Sequence, residues 1–191
     1  YAVLLWYRPQ FLFFAIPVAL PTLDFSAWSG RFFFDEFDLL LIVSVTVGYL
    51  RLPSVSRRIK NPLFMVATTM LALSFAVGVA RGLLPWQTPD LNSFNHYYSP
   101  YNSLRIVKGV LWALLIYGLW RHSTERLHMR RLFAWGMASG LIVTVLVVLW
   151  ERAAFPGLLN FTDVYRVTGP FSQMHVGGAD LETYLTLAIP F

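Results

Sequence analysis

Four cations carry most of the chemistry this chain offers: Arg81, Arg105, Lys108 and Arg166. A guanidinium takes phosphate in a bidentate fork and an ammonium takes it as a point charge, so the set describes a holder for an anion. Arg105 and Lys108 are three positions apart, a spacing that puts two side chains on one helix face. Arg166 lies in the hydrophilic stretch Asp163 to Asp180, DVYRVTGPFSQMHVGGAD, with a Thr-Gly-Pro turn, His175 and a Gly-Gly pair. Histidine titrates near pH 6.5 and can serve as a base or proton carrier. His175 is therefore a weaker candidate for that role, beside the plainer reading of a polar loop residue. Gly177-Gly178 reads as a place where the backbone turns or packs closely at the entry to a helix.

The elements that must position these groups are membrane helices. Of 191 residues, 57% are hydrophobic, 17% aromatic and only 13% charged, about half the charge of an ordinary soluble domain. Mean hydropathy is +0.56. Apolar runs of membrane-spanning length predict an all-α fold: a polytopic transmembrane helix bundle of about five full helices plus the start of a sixth. The expected helices cover about residues 9–23, 37–52, 62–84, 103–120, 133–150 and 179–191. Residues 1–191 read as a single transmembrane domain and as a fragment of a longer protein. Pro9 opens the first helix and Pro17 and Pro21 kink it. Residues 1–7 read as the tail of an earlier segment or as an interfacial entry. Asp35, Glu36 and Asp38 stand where a helix begins, which favours an N-terminal cap over a catalytic carboxylate pair.

Loop charge sets the expected topology. Arg51, Arg57, Arg58 and Lys60 form one basic link, and Arg121, Arg126, Arg130 and Arg131 form another. The positive-inside rule makes both links, 51–60 and 121–131, cytoplasmic, and two helices between them agree with that. Eight of the fifteen Lys and Arg are thereby explained, and Arg8 belongs with them. Arg31, Arg81, Arg105, Lys108, Arg152 and Arg166 remain, all on or near the outer side. Charge inside a membrane costs at least a few kcal/mol and usually marks a pathway or a site. The bland alternatives are snorkelling to headgroups and pairing with Asp90, Glu151 or Asp163. An anionic ligand at the outer surface, such as a lipid pyrophosphate whose tail stays in the bilayer, suits the set as a whole.

Several chemistries lack their residues. There is no cysteine, hence no disulfide or thiol chemistry here. His96, His122, His128 and His175 are scattered without metal-ligand spacing, so no metal is expected. No nucleophile elbow and no nucleotide-type glycine loop occurs, and no cofactor is implied. The net charge of +5 follows from membrane topology rather than from a nucleic-acid partner.

The stretch YRVTGPFSQMHVGGADLETYLTLAIPF resembles a segment of O-antigen ligase and O-antigen polymerase-type membrane proteins. There an Arg, a Thr/Ser-Gly turn and a small-residue pair precede a membrane helix. The earlier NSLRIVKGVLWALL is similar to the same group. Gln173-Met174-His175 stands where the group usually has Pro-Asn. The resemblance implies a metal-independent inverting glycosyltransferase of polysaccharide biosynthesis in the bacterial inner (cytoplasmic) membrane. It would act on the periplasmic face as a part of cell-envelope assembly. The donor would be a glycan on undecaprenyl pyrophosphate and the acceptor a glycan, a lipid or a protein, with membrane lipid as surroundings. By motif, Arg166 is the pyrophosphate contact, followed by Arg105; Arg81 and Lys108 rest on charge alone. The catalytic residue is not assigned: the acceptor-activating His is expected beyond Phe191, and His175 does not correspond to it. Two other readings stay open, a transporter or flippase of anionic lipid or solute and a non-catalytic membrane subunit. On the transferase reading Arg166 forms one wall of a cationic pocket shared with the helices that carry Arg81, Arg105 and Lys108.

Overall fold

The structure, a computed structural model, describes residues 1–23, 34–52, 62–90, 93–94, 98–122, 126–160, 165–171 and 177–190. It is all-α. The helices are α1 (Ala2–Tyr7), α2 (Leu12–Thr22, after a 3₁₀ turn at Pro9–Phe11), α3 (Glu36–Arg51), α4 (Pro62–Gly82), α5 (Asn102–His122), α6 (Arg126–Ala154) and α7 (Gly177–Ala188). Three are long and apolar enough to cross a membrane: α4 with 21 residues, α5 with 20 over Asn102–Arg121 and α6 with 29. About 20 residues are needed to cross the hydrocarbon layer. On α6, Trp135 and Trp150 are 68% and 66% exposed.

Helix α6 extends beyond the expected 133–150 at both ends. Its first turns carry Arg126, Arg130 and Arg131, and Arg121 rides on the last turn of α5, so much of the 121–131 link is helix. No proline falls between Arg126 and Ala154, and Arg, Leu and Met are good helix formers, so nothing stops the helix at the membrane edge. The other basic run, Arg57, Arg58 and Lys60, lies outside the described residues, as do Arg31, His96, Asp163 and His175. Asp35 is the N-cap of α3: its carboxylate accepts from Asp38 N–H at 2.8 Å, and its own N–H donates to the Asp38 carboxylate at 3.0 Å.

The chain divides into two compact units. The first comprises residues 1–30, 34–52 and 125–191, and with it α1, α2, α3, α6 and α7. Its centre is the crossing of α2 and α6. On α6, Gly136, Gly140 and Thr144 are buried at four-residue spacing, a small-xxx-small stripe that lets backbones approach. A Cβ on Gly136 would lie 2.5 Å from the Phe14 carbonyl oxygen, and one on Gly140 would lie 3.0 Å from that of Pro17. Pro17 and Pro21 lack the N–H that would bond the carbonyls of Phe13 and Pro17 within α2. Met137, Phe171, Leu181, Tyr184 and Ala188 close a core between α6, α7 and the segment before α7.

The pairings orient this unit. Phe14 meets Gly136 and Pro17 meets Gly140, so α2 and α6 run parallel. Tyr1 bonds Ser44 at 2.5 Å, and Arg51 donates to the Trp6 carbonyl at 3.2 Å while lying over the Trp6 ring, so α1 and α3 run parallel. The short 3₁₀ turn joins the end of α1 to the start of α2. Arg8, Arg51, Arg126, Arg130 and Arg131 therefore gather at one end, while Glu151, Arg152 and Arg166 lie at the other.

The second unit, residues 31–33 and 53–124, is built on α4 and α5. These form an antiparallel pair: Gly82 abuts Ser103 at one end, and the Phe64 and Tyr117 rings lie 5.6 Å apart toward the other.

Candidate functional site

Glu151 is the organising group at the C-terminal end of α6 in the first unit. It closes the apolar part of α6 and is only 6% exposed. A buried carboxylate is tolerable only when its oxygens are satisfied, and the chain some 15 residues onward satisfies them. The Tyr165 hydroxyl donates to Oε1 at 2.9 Å. The Thr168 N–H reaches both oxygens, at 3.1 and 3.2 Å, and the Gly169 N–H donates to Oε2 at 2.6 Å. Successive backbone amides turned toward one anion make a nest. Gly169 closes it with φ +61°, a left-handed conformation natural to glycine. Space requires glycine as well, since a Cβ would stand 3.0 Å from Val148 Cγ2. The Thr-Gly turn of the sequence motif is thus clamped to the end of α6.

Arg166 projects from this clamped segment. Its side chain is 61% exposed, and its guanidinium lies 3.9 Å from Glu182 of α7, itself 77% exposed. An exposed pair at that distance contributes about 0–1 kcal/mol. The backbone beneath Arg166 is held firmly while its charge is held loosely. Beside it, the Tyr165 ring stacks on Phe155 with centroids 6.0 Å apart. The Tyr165 phenol is pushed above its ordinary value of 10.0, first by desolvation and then by the hydrogen bond and charge of Glu151.

Arg152, one of the cations that topology leaves unexplained, has a structural task. Its Nη2 donates to the Asn160 carbonyl at 2.6 Å, closing the turn that follows α6. Gly157, at φ +90°, donates its N–H back to the Arg152 carbonyl at 2.8 Å to end the helix.

Arg81, Arg105 and Lys108 belong to the second unit and share one end of its hairpin. Arg81 sits in the last turn of α4, where a cation complements the helix dipole. Arg105 and Lys108 lie on the first two turns of α5, just past the Gly82–Ser103 contact. Arg81 is exposed, and Arg105 and Lys108 are half-buried. Each group of cations thus has its own scaffold, a clamped loop for Arg166 and a helix-pair end for the other three. Among the described residues no three His, Cys, Asp or Glu stand close enough to hold a metal ion.

Two features escape charge accounting. Glu151 reads in sequence as a helix end or a counter-ion, because its partners lie 14 to 18 positions away. The Gly-Met-Ala-Ser-Gly stripe, residues 136–140, is legible as a small-xxx-small pattern within the uncharged run 133–150. Comparison of the chain with protein-family models, with curated proteins and with solved structures finds no match.

Proposed function

We propose that this protein transfers or polymerises a glycan from an undecaprenyl-pyrophosphate-type lipid donor on the periplasmic face of the bacterial inner membrane. The observation that carries the reading is Arg166: an exposed guanidinium on a loop whose main chain is tied down by a buried carboxylate. A pyrophosphate is a good leaving group, so the protein's work is to hold it, stabilise its developing charge and place the acceptor hydroxyl. An arginine fixed at its root and weakly engaged at its tip suits the first two tasks. Arg81, Arg105 and Lys108 supply further positive charge at the end of the α4–α5 pair, at the depth where a lipid phosphate lies. In the first unit, five arginines sit at the end opposite Arg166. That polarity supports a cytoplasmic placement of the basic end and an outer placement of the Arg166 loop.

The test is glycan transfer in proteoliposomes supplied with a polyprenyl-pyrophosphate oligosaccharide. Arg166→Ala is expected to lower transfer at least 100-fold, as loss of a charge-stabilising group does, with unchanged membrane insertion and unfolding temperature. Wild-type transfer by this variant overturns the role of Arg166. Movement of the intact lipid across the bilayer without glycosidic bond formation replaces the transferase reading with a flippase.

A further inference from the structure

The loop between α4 and α5 carries a feature that anion binding does not use. It borders an open hollow of about 360 Å³ lined by Gln87, Thr88, Asp90, Ser93, Tyr98, Ser99 and Pro100. That volume lies within the roughly 300–1,000 Å³ of small-molecule sites. The wall offers an amide, a carboxylate, three hydroxyls and a phenol ring, and among the described residues no Lys or Arg lines it.

The hollow has a built frame. Tyr101 is buried, lies tilted against Phe94 with ring centroids 5.3 Å apart and donates its hydroxyl to the Gln87 carbonyl. Its N–H donates to Ser99 Oγ at 3.3 Å. Buried Ser93 donates to Asp90 Oδ1 at 2.7 Å and accepts from the Asp90 N–H at 2.7 Å. Tyr98, which also lines the hollow, is 85% exposed.

The lining selects among ligand classes. Among the described residues, a phosphate would meet a carboxylate and no cation, and a metal ion would find one carboxylate, whose Oδ1 already accepts from Ser93. A purely apolar ligand would strand the amide and hydroxyls. A neutral polyol matches all of it: adjacent hydroxyls exchange hydrogen bonds with amide, carboxylate and hydroxyl groups, while the C–H face of a pyranose lies on an exposed aromatic ring. We propose that this loop hollow is a carbohydrate-binding site that holds one or two neutral pyranose units. The same hairpin end carries Arg81 and Arg105. A glycan with an anionic group at its lipid end therefore finds, on one short scaffold, a polar hollow in the loop and cations on the helix ends that flank the loop. The biological role of the site rests on the glycan-transfer reading; its ligand class rests on the lining alone.

The experiment is saturation-transfer NMR on the protein in lipid nanodiscs, with maltose, lactose and N,N′-diacetylchitobiose as probes and glycerol and methyl phosphate as controls. Saturation of C–H protons is expected for at least one disaccharide and for neither control. Tyr98→Ala should weaken that binding about 3- to 10-fold by removing the stacking face, Gln87→Ala should weaken it similarly, and Tyr98→Trp should restore it. Tyr98 is so exposed that its replacement leaves folding intact. Absence of saturation from all three sugars, or wild-type affinity in both alanine variants, overturns the site. Sugar binding in a protein that transfers no glycan sinks the transferase reading alone. Glycan transfer with an unchanged KM in Tyr98→Ala sinks the loop site alone. A raised KM supports the site and, by falling on donor or acceptor, tells which glycan it holds.

Discussion

Replacement of Glu151 tests the clamp beneath Arg166. Its carboxylate accepts from the Tyr165 hydroxyl and from the backbone amides of Thr168 and Gly169, at 2.6 to 3.2 Å. A hydrogen bond to a charged group contributes roughly 1.5–3 kcal/mol, and stranding a buried donor costs roughly 1–3 kcal/mol. The three do not add, because Thr168 and Gly169 are only half-buried and water can reach them once the segment loosens. Glu151→Ala is therefore expected to destabilise the 165–171 segment by about 2–4 kcal/mol, raising its opening constant some 30- to 1,000-fold. Glu151→Gln keeps the shape and one acceptor oxygen, and its amide can face a Tyr165 hydroxyl turned to accept. It should cost only about 1–2 kcal/mol, or some 5- to 30-fold in opening. Hydrogen exchange followed by mass spectrometry reads this directly, since amide protection reports local opening. Tyr165 gives a second signal. Glu151 helps hold its phenol above 10.0, so Glu151→Gln should move the pKa down toward that value, burial keeping part of the shift. Unchanged exchange at Thr168 and Gly169 in both variants would refute the clamp.

Three further outcomes follow from particular contacts. Gly136→Ala puts a Cβ 2.5 Å from the Phe14 carbonyl oxygen, a backbone atom that cannot swing aside; a loss of about 1–3 kcal/mol is expected in thermal unfolding of the detergent-solubilised protein, and an unchanged midpoint would show that α2 and α6 do not cross there. Tyr184 is buried, and among the described residues its hydroxyl has no hydrogen-bond partner, so Tyr184→Phe should be neutral or stabilising by up to about 1 kcal/mol in the same assay, whereas a clear loss would reveal a partner for that oxygen. Glu182→Gln frees Arg166 from a pair worth about 0–1 kcal/mol, so donor KM should fall up to about 5-fold, more at low salt; a rise would place the Glu182 carboxylate in the site itself.

The helices were legible because their signal is local. Apolar runs, Pro9 at the start of a turn and the Asp35–Asp38 cap all lie within a few positions of the structure they dictate. The ends of α6 were less legible because helix propensity does not change at the membrane edge, and Arg126 to Arg131 continue the helix as readily as they would end it. The clamp was the hardest to see. Nothing in Trp150-Glu151-Arg152 says that the carboxylate folds back under Thr168 and Gly169, since the contact arises only once α6, the turn after it and α7 have packed. Accounting for charges gives neighbouring Glu151 and Arg152 one status, charges at a helix end. Burial separates them: one organises the segment below Arg166, and the other closes a turn through Asn160.

That separation bears on the proposal that Arg166 holds a phosphate. Arg152 spends Nη2 on a backbone carbonyl, so binding an anion would cost it that bond and loosen the turn. Arg166 faces no such conflict. The segment that carries it is secured by backbone amides and by Tyr165, not by its own side chain, and its contact with Glu182 is long and exposed. An arriving phosphate therefore displaces little and meets a guanidinium whose root is already ordered, which lowers the entropy lost on binding. The buried anion of Glu151 is compatible with this role because its charge is taken up by the amides of Thr168 and Gly169 and by the Tyr165 hydroxyl rather than by Arg166. A buried carboxylate neutralised by main chain leaves the nearby arginine available, and that division of partners favours Arg166 over Arg152 as the residue that meets the ligand.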